Sequence, residues 1–87
     1  MTIHELKILP PFFEAVKSGK KTFETRDNSD RGFQAGDTVV LREWVRGAIQ
    51  GAYTGAELTF KIGYVSDYYQ RSGYVVFSLL PVDEIRA

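Results

Sequence analysis

Apolar residues recur at every second position over most of this chain. Val39, Leu41 and Val45 share one face of the run Thr38 to Arg46, and Leu58, Phe60, Ile62 and Tyr64 alternate with Thr59, Lys61 and Gly63. A period of two belongs to strands with one buried face, because successive side chains on a strand point to opposite sides. The pattern appears first in Ile3 to Leu9, with His4, Leu6 and Ile8 on one side and Glu5 and Lys7 on the other. Lys21 to Asp27 continues it, with Phe23 and Thr25 on one face and Thr22, Glu24 and Arg26 on the opposite face. Tyr74 to Leu80 is apolar almost throughout and reads as a central strand, closed by Pro81.

One segment departs from this period. Pro10-Pro11 ends the first strand and suits a first helical turn, where the missing N–H is not needed. A short helix is predicted over about Pro11 to Ser18, with Phe12, Phe13 and Val16 as its apolar stripe and Gly19 as its C-terminal stop. Ala35-Gly36-Asp37 reads as a tight turn, Gly47 to Gly55 as a long hairpin loop, and Ser66 to Gly73 as a polar loop bearing tyrosines. The tail after Pro81 reads as frayed or as a short turn. The order is β-α-β-β-β-β. Strands joined in this way close most simply into a small, mainly antiparallel five-stranded β-barrel with one main helix. Phe12, Phe13, Val16, Phe23, Val39, Leu41, Phe60, Ile62, Val76 and Phe77 are expected in its core.

At 87 residues the chain has room for one domain, and residues 1–87 are read as a single unit without a linker or repeat. A domain this small buries only roughly 60% of the surface of its unfolded chain, so its aromatic residues are needed inside. Cysteine is absent, which rules out a disulfide framework or a thiol nucleophile. The start carries no basic-then-apolar leader, and no apolar run is long enough to span a bilayer. A cytosolic monomer, without membrane association, is expected. Lysine and arginine total 11, as do aspartate and glutamate, and the two signs are spread evenly along the chain. A protein that grips duplex DNA through many phosphates shows a basic bias. A pocket for one nucleotide or a few bases needs none, and its affinity for RNA should depend only weakly on salt.

The densest polar cluster is Gly19-Lys20-Lys21-Thr22-Phe23-Glu24-Thr25-Arg26. Glu24 and Arg26 are two apart on a strand and so share a face, while Lys21 sits where helix passes into strand. Arginine offers a rigid fork of donors to a phosphate or base edge, and glutamate an acceptor. The competing interpretation is a solvated ladder of surface ion pairs, which contributes little. If the cluster is functional, Lys21, Glu24 and Arg26 should converge on one cleft next to the C-terminus of the helix. Lys7 would add a further positive charge beside them.

Gly19, Lys21, Glu24 and Arg26 match the G-x-K-x-x-E-x-R signature of the ASCH domain, a branch of the PUA-like superfamily. With His4-Glu5-Leu6-Lys7-Ile8, Pro10-Pro11-Phe12-Phe13 and Phe33-Gln34-Ala35-Gly36-Asp37, the chain resembles a compact bacterial and phage branch of it, a domain of unknown function. The resemblance implies a β-barrel with a cleft beside the helix and an RNA- or nucleotide-binding role. It also implies an alternative, because a small relative in the superfamily is an amidohydrolase acting on acetylated cytidine. Lys21 matches that enzyme's lysine, and Glu24 falls where it has a threonine. Lys21 and Glu24 are therefore the catalytic candidates. A third reading is a phage or mobile-element accessory module that binds another protein through the barrel edge.

His4 is the only histidine, and the apolar neighbours on its face favour a structural role over proton transfer. No metal site or cofactor is expected, because one histidine and the spacing of Glu24, Asp27 and Asp30 fit no known ligand set. Tyr68 and Tyr69 in the polar loop, together with Tyr74 and Trp44, could stack on bases, a contact worth about 1–3 kcal/mol each. Packing at the barrel rim is the competing role for all four.

Overall fold

The structure is a computed structural model and describes residues 1–29 and 31–82. It is mainly β, a curved five-stranded sheet with one short helix. Strand β1 is Ile3–Ile8, helix α1 is Pro10–Lys17, and β2 is Phe23–Asp27. Strands β3, β4 and β5 are Thr38–Val45, Ala52–Ser66 and Tyr74–Pro81. The sheet order is β1-β3-β4-β5-β2. Every neighbouring pair is antiparallel except β1 with β3, which run parallel from Ile3 opposite Thr38 to Ile8 opposite Glu43. The path from β1 to β3 passes through the helix and β2, and a crossover of that length allows parallel pairing.

The sheet is a half-barrel whose open seam lies between its end strands, β1 and β2. Arginine side chains cross the seam. Arg26 Nη2 donates to the Lys7 carbonyl at 3.1 Å, and Arg31 Nη1 donates to the Glu5 carbonyl at 3.3 Å. Both carbonyls belong to an edge strand that needs partners for its main-chain groups.

The concave face holds one core of Leu6, Ile8, Phe13, Val16, Phe33, Val39, Leu41, Ile62, Val75, Phe77 and Leu79. Burial of each large side chain contributes on the order of 1.5–3 kcal/mol. The helix begins at its prolines, with the Leu9 carbonyl accepting from Phe12 and Phe13, and ends at Gly19, whose φ is +83°. The amide of Lys21 then turns back to the Ala15 carbonyl at 2.9 Å, which anchors the start of β2 to the helix.

Four core assignments change. Phe23 is 46% exposed, because β2 has the opposite face inward. Its register against β5 places Glu24 opposite the buried Phe77 and Phe23 opposite Ser78. Directly opposed residues share a sheet face, so Glu24 goes inside with Phe77. Phe12 is 52% exposed, since a two-turn helix buries one stripe and Phe13 with Val16 fills it. On β5 the inward residues are Val75, Phe77 and Leu79, leaving Val76 half-buried. Phe60 is also half-buried and packs against the core rather than within it.

The hairpin between β3 and β4 differs as well. Ala52 to Gly55, expected as loop, belong to β4, with Tyr53 opposite Trp44 and Ala52 opposite Val45. Gly51 permits this: a Cβ there would lie 2.0 Å from Trp44 Cζ2, so the indole rests directly on the backbone. A register shift between Arg42 and Trp44 ends the alternation on β3 and leaves Val45 exposed. A second shift, between Ile62 and Val65, does the same for Tyr64. Asp30 and the tail beyond Val82 lie outside the described residues.

Candidate functional site

Glu24 is the centre of the polar cluster. It projects from β2 toward the concave side and is 3% exposed. A carboxylate so placed needs charged or hydrogen-bonding partners, and two cations provide them. Lys21 Nζ pairs with Oε2, and Arg26 reaches Oε1 through Nε and Nη2, each at 2.9 Å. Lys21 and Arg26 are themselves only partly exposed. Arg26 therefore has two duties, one on the Glu24 carboxylate and one on the β1 carbonyl across the seam.

These side chains line an open cleft of about 380 Å³. Lys7 and Ile8 of β1 form one side, Leu9 and Phe12 at the start of α1 another, and Lys21, Glu24, Thr25 and Arg26 the third. The expected convergence of Lys21, Glu24 and Arg26 is present, and Lys7 joins them. The cleft opens at the first turn of the helix, through Leu9 and Phe12, and not next to its C-terminus as expected: no residue of the helix's last turn lines it. Lys7 Nζ sits 4.3 Å from the Trp44 ring centroid, and Lys21 Nζ lies 5.5 Å from the rings of Phe12 and Phe23. Such contacts stabilise cations near aromatic faces.

The tyrosine pair is elsewhere. Tyr68 and Tyr69 pack against each other with tilted rings, centroids 4.4 Å apart, in the β4–β5 turn, both exposed, and neither lines this cleft. Tyr69 has φ +58°, a left-handed conformation that costs a bulky residue energy. Tyr74 is half-buried beside Arg71, and Trp44 touches the site only through Lys7.

His4 is fully buried and structural. Its Nε2 lies 2.9 Å from Asp37 Oδ2, and its ring stands against Phe33 with centroids 4.6 Å apart. The Asp37 carboxylate also accepts from the amides of Thr2 at 3.2 Å and Gln34 at 3.1 Å. Burial opposes ionisation of Asp37. The His4 hydrogen bond, the two amides and the histidine charge outweigh it and hold the carboxyl below its ordinary value. Asp27 is also lowered, by the Ser29 hydroxyl and then the Ser29 amide. Among the described residues no three His, Cys, Asp or Glu side chains converge as metal ligands would, and no helix is long and apolar enough to cross a membrane.

Sequence reasoning missed one wall of the cleft and one structural anchor. Phe12 was assigned to the core, yet it forms an apolar wall of the cleft; the eight-residue length of the helix is the signal that one stripe residue must be left out. Asp37 reads as a turn residue, and its side chain is found anchoring His4 and the amides of Thr2 and Gln34, away from the cleft.

Fold and site together define a small mainly-β half-barrel with a polar cleft between its helix and its open seam. The DUF3850 family, a domain of unknown function, matches residues 3–79, and the chain belongs to it. It is also 42% identical over 65 residues to a protein of Escherichia phage P2 described as an uncharacterized 12.9 kDa protein in the GpA 3′ region. That match covers 75% of this chain and 55% of the phage protein, so the chain spans little more than half the relative's length.

Proposed function

We propose that this chain is a ligand-binding module of the ASCH/PUA-like kind, acting in the cytosol, whose cleft takes a nucleotide or a short stretch of RNA. The observation that carries this reading is the convergence of Lys21 and Arg26 on the buried Glu24 beside the exposed ring of Phe12. A surface ion-pair ladder would leave its carboxylate in water. Here the carboxylate is withdrawn from solvent and fixes two cations at the edge of a cleft, next to an aromatic face. Rigid donors beside an aromatic ring suit a phosphorylated sugar and a planar base.

The test is a screen of nucleosides, nucleotides and short RNAs read by backbone amide shifts. Perturbations should centre on Lys7 to Phe12 and Lys21 to Arg26, and Arg26→Gln should weaken them. Shifts confined to the Tyr68–Tyr69 turn, or none with any ligand, would remove this reading. Turnover of acetylated cytidine in the same samples would instead support a nucleoside amide hydrolase with Lys21 at its centre.

A further inference from the structure

The charges at the cleft narrow the chemistry of its ligand beyond that proposal, on which this step rests. Three cations, Lys7, Lys21 and Arg26, line it against one carboxylate, Glu24. The chain as a whole is neutral, so this surplus of two positive charges is local. Glu24 does not offer a free acceptor to a ligand: Lys21 occupies one oxygen and the Arg26 fork the other, and the side chain is 4% exposed. The carboxylate acts on the cations, holding them in place.

These cations keep donors beyond those that Glu24 uses. Lys7 Nζ is held by the Trp44 ring and, among the described residues, by no carboxylate, while Lys21 Nζ spends one of its protons on Glu24. Arg26 uses Nε and Nη2 on Glu24 and Nη2 on the Lys7 carbonyl, and among the described residues Nη1 has no hydrogen-bond partner. A neutral nucleoside would bring hydroxyls and ring nitrogens to this set and leave the surplus charge uncompensated. A terminal phosphate carries close to two negative charges at neutral pH and accepts several hydrogen bonds at once. Phe12, on the apolar wall of the same cleft, gives the attached base a face to stack on.

We infer that the cleft recognises a terminal phosphate monoester on a nucleotide, held by Lys7, Lys21 and Arg26 with the base against Phe12. The same group occurs on a free nucleoside 5′-monophosphate and on the 5′ end of a processed RNA.

Calorimetric titration at fixed ionic strength tests this with four probes: a nucleoside, its 5′-monophosphate, and one tetranucleotide RNA with either a 5′-phosphate or a 5′-hydroxyl. The expected result is at least tenfold tighter binding for each phosphorylated member of a pair. Inorganic phosphate should compete with both. The stronger of the two phosphorylated probes identifies the source, free nucleotide or RNA end. Lys7→Gln should reduce the phosphate preference severalfold without disturbing the fold, because Lys7 is exposed and takes no part in the Glu24 pairing. Trp44 is the sole tryptophan, so displacement of Lys7 toward a phosphate should also change its fluorescence. Equal affinity for nucleoside and monophosphate would overturn the inference while sparing the nucleotide-binding reading. Failure of the folded protein to bind any of the four would overturn both.

Discussion

Two carboxylates in this protein are buried to nearly the same degree, Glu24 at 3% and Asp37 at 4% exposed, yet they serve different ends. Asp37 gathers an imidazole and two main-chain amides at a closed corner. Its backbone carbonyl also accepts from the Ile62 amide at 2.8 Å, so one residue fastens the start of β1, the turn before β3 and the middle of β4. Glu24 gathers only long cationic side chains, and these continue past it to a cleft. Burial with satisfied partners is what any interior charge requires. What separates a structural pair from a candidate site is where the partners' remaining donors point. At Asp37 the partners lie among Phe33 and strand backbone; at Glu24 they face solvent and an aromatic wall.

The corner offers the largest effect. Asp37→Ala would leave three donors without their acceptor, and a broken buried interaction of this kind costs about 3 kcal/mol. Urea denaturation at neutral pH measures it. A loss below about 1 kcal/mol would mean that the corner is not the fastening described, and the contrast with Glu24 would collapse. Ligand affinity of the fraction that remains folded should not change.

The cleft should respond in the opposite proportion. Arg26→Gln and Lys21→Gln each leave Glu24 one cation, so the stability loss should stay below that of Asp37→Ala, about 1.5 kcal/mol for Lys21→Gln and more for Arg26→Gln, which also gives up its bond to the Lys7 carbonyl. Nucleotide affinity should fall by about 1.5–3 kcal/mol, the worth of a hydrogen bond to a charged group, which is roughly a tenfold to hundredfold change. Parallel melts and titrations separate the two quantities. Loss of stability alone, with affinity intact, would make Glu24 a second structural corner.

Acid sharpens the comparison further. The Asp37 carboxyl is held below its ordinary value of 3.8. A group depressed in the folded state releases its proton more readily there than in the unfolded chain. Its contribution to stability is therefore present above the unfolded value and is lost as pH falls through the folded one. The wild type should lose stability as pH falls below about 4, and Asp37→Asn should show a shallower slope over that range. Asp27, also lowered, titrates in both proteins and leaves the difference to Asp37. Identical slopes would assign the acid limb to other carboxyls.

Much of this arrangement was legible in the residues. Alternation located four of the five strands, an apolar run closed by Pro81 located β5, and the prolines located the helix, because those signals are local. The faces of β2 and β5 were not legible. Phe23 beside Glu24 suggests that phenylalanine goes inside, and Val75-Val76-Phe77 gives no alternation to read. Both faces depend on the pairing of Glu24 with Phe77, a long-range register that no local period contains. The clustering of Lys21, Glu24 and Arg26 was foreseen from their spacing. The burial that makes it more than a surface ladder was not, since β2 was read with Glu24 on its polar face.

The smallest effect concerns the tyrosine turn, the rival location for ligand contacts. Tyr69 holds φ +58° in a segment closed by the Gln70 amide on the Asp67 carbonyl and by the Tyr68 amide on Ser66 Oγ. A bulky side chain in the left-handed region is strained by about 1–2 kcal/mol, while asparagine tolerates it through local hydrogen bonds. Tyr69→Asn removes that strain and also removes the packing on Tyr68, a contact between two exposed rings worth about 0.5 kcal/mol. The net should be a gain of roughly 0.5–1 kcal/mol in stability. Nucleotide affinity should be unchanged, because Tyr69, 90% exposed, lies outside the cleft that holds Lys21 and Arg26. Strained residues do cluster at functional positions, so the opposite outcome is informative. A more stable Tyr69→Asn variant that binds tenfold more weakly would move the site to the β4–β5 turn, and leave Glu24 and its two cations as interior bracing.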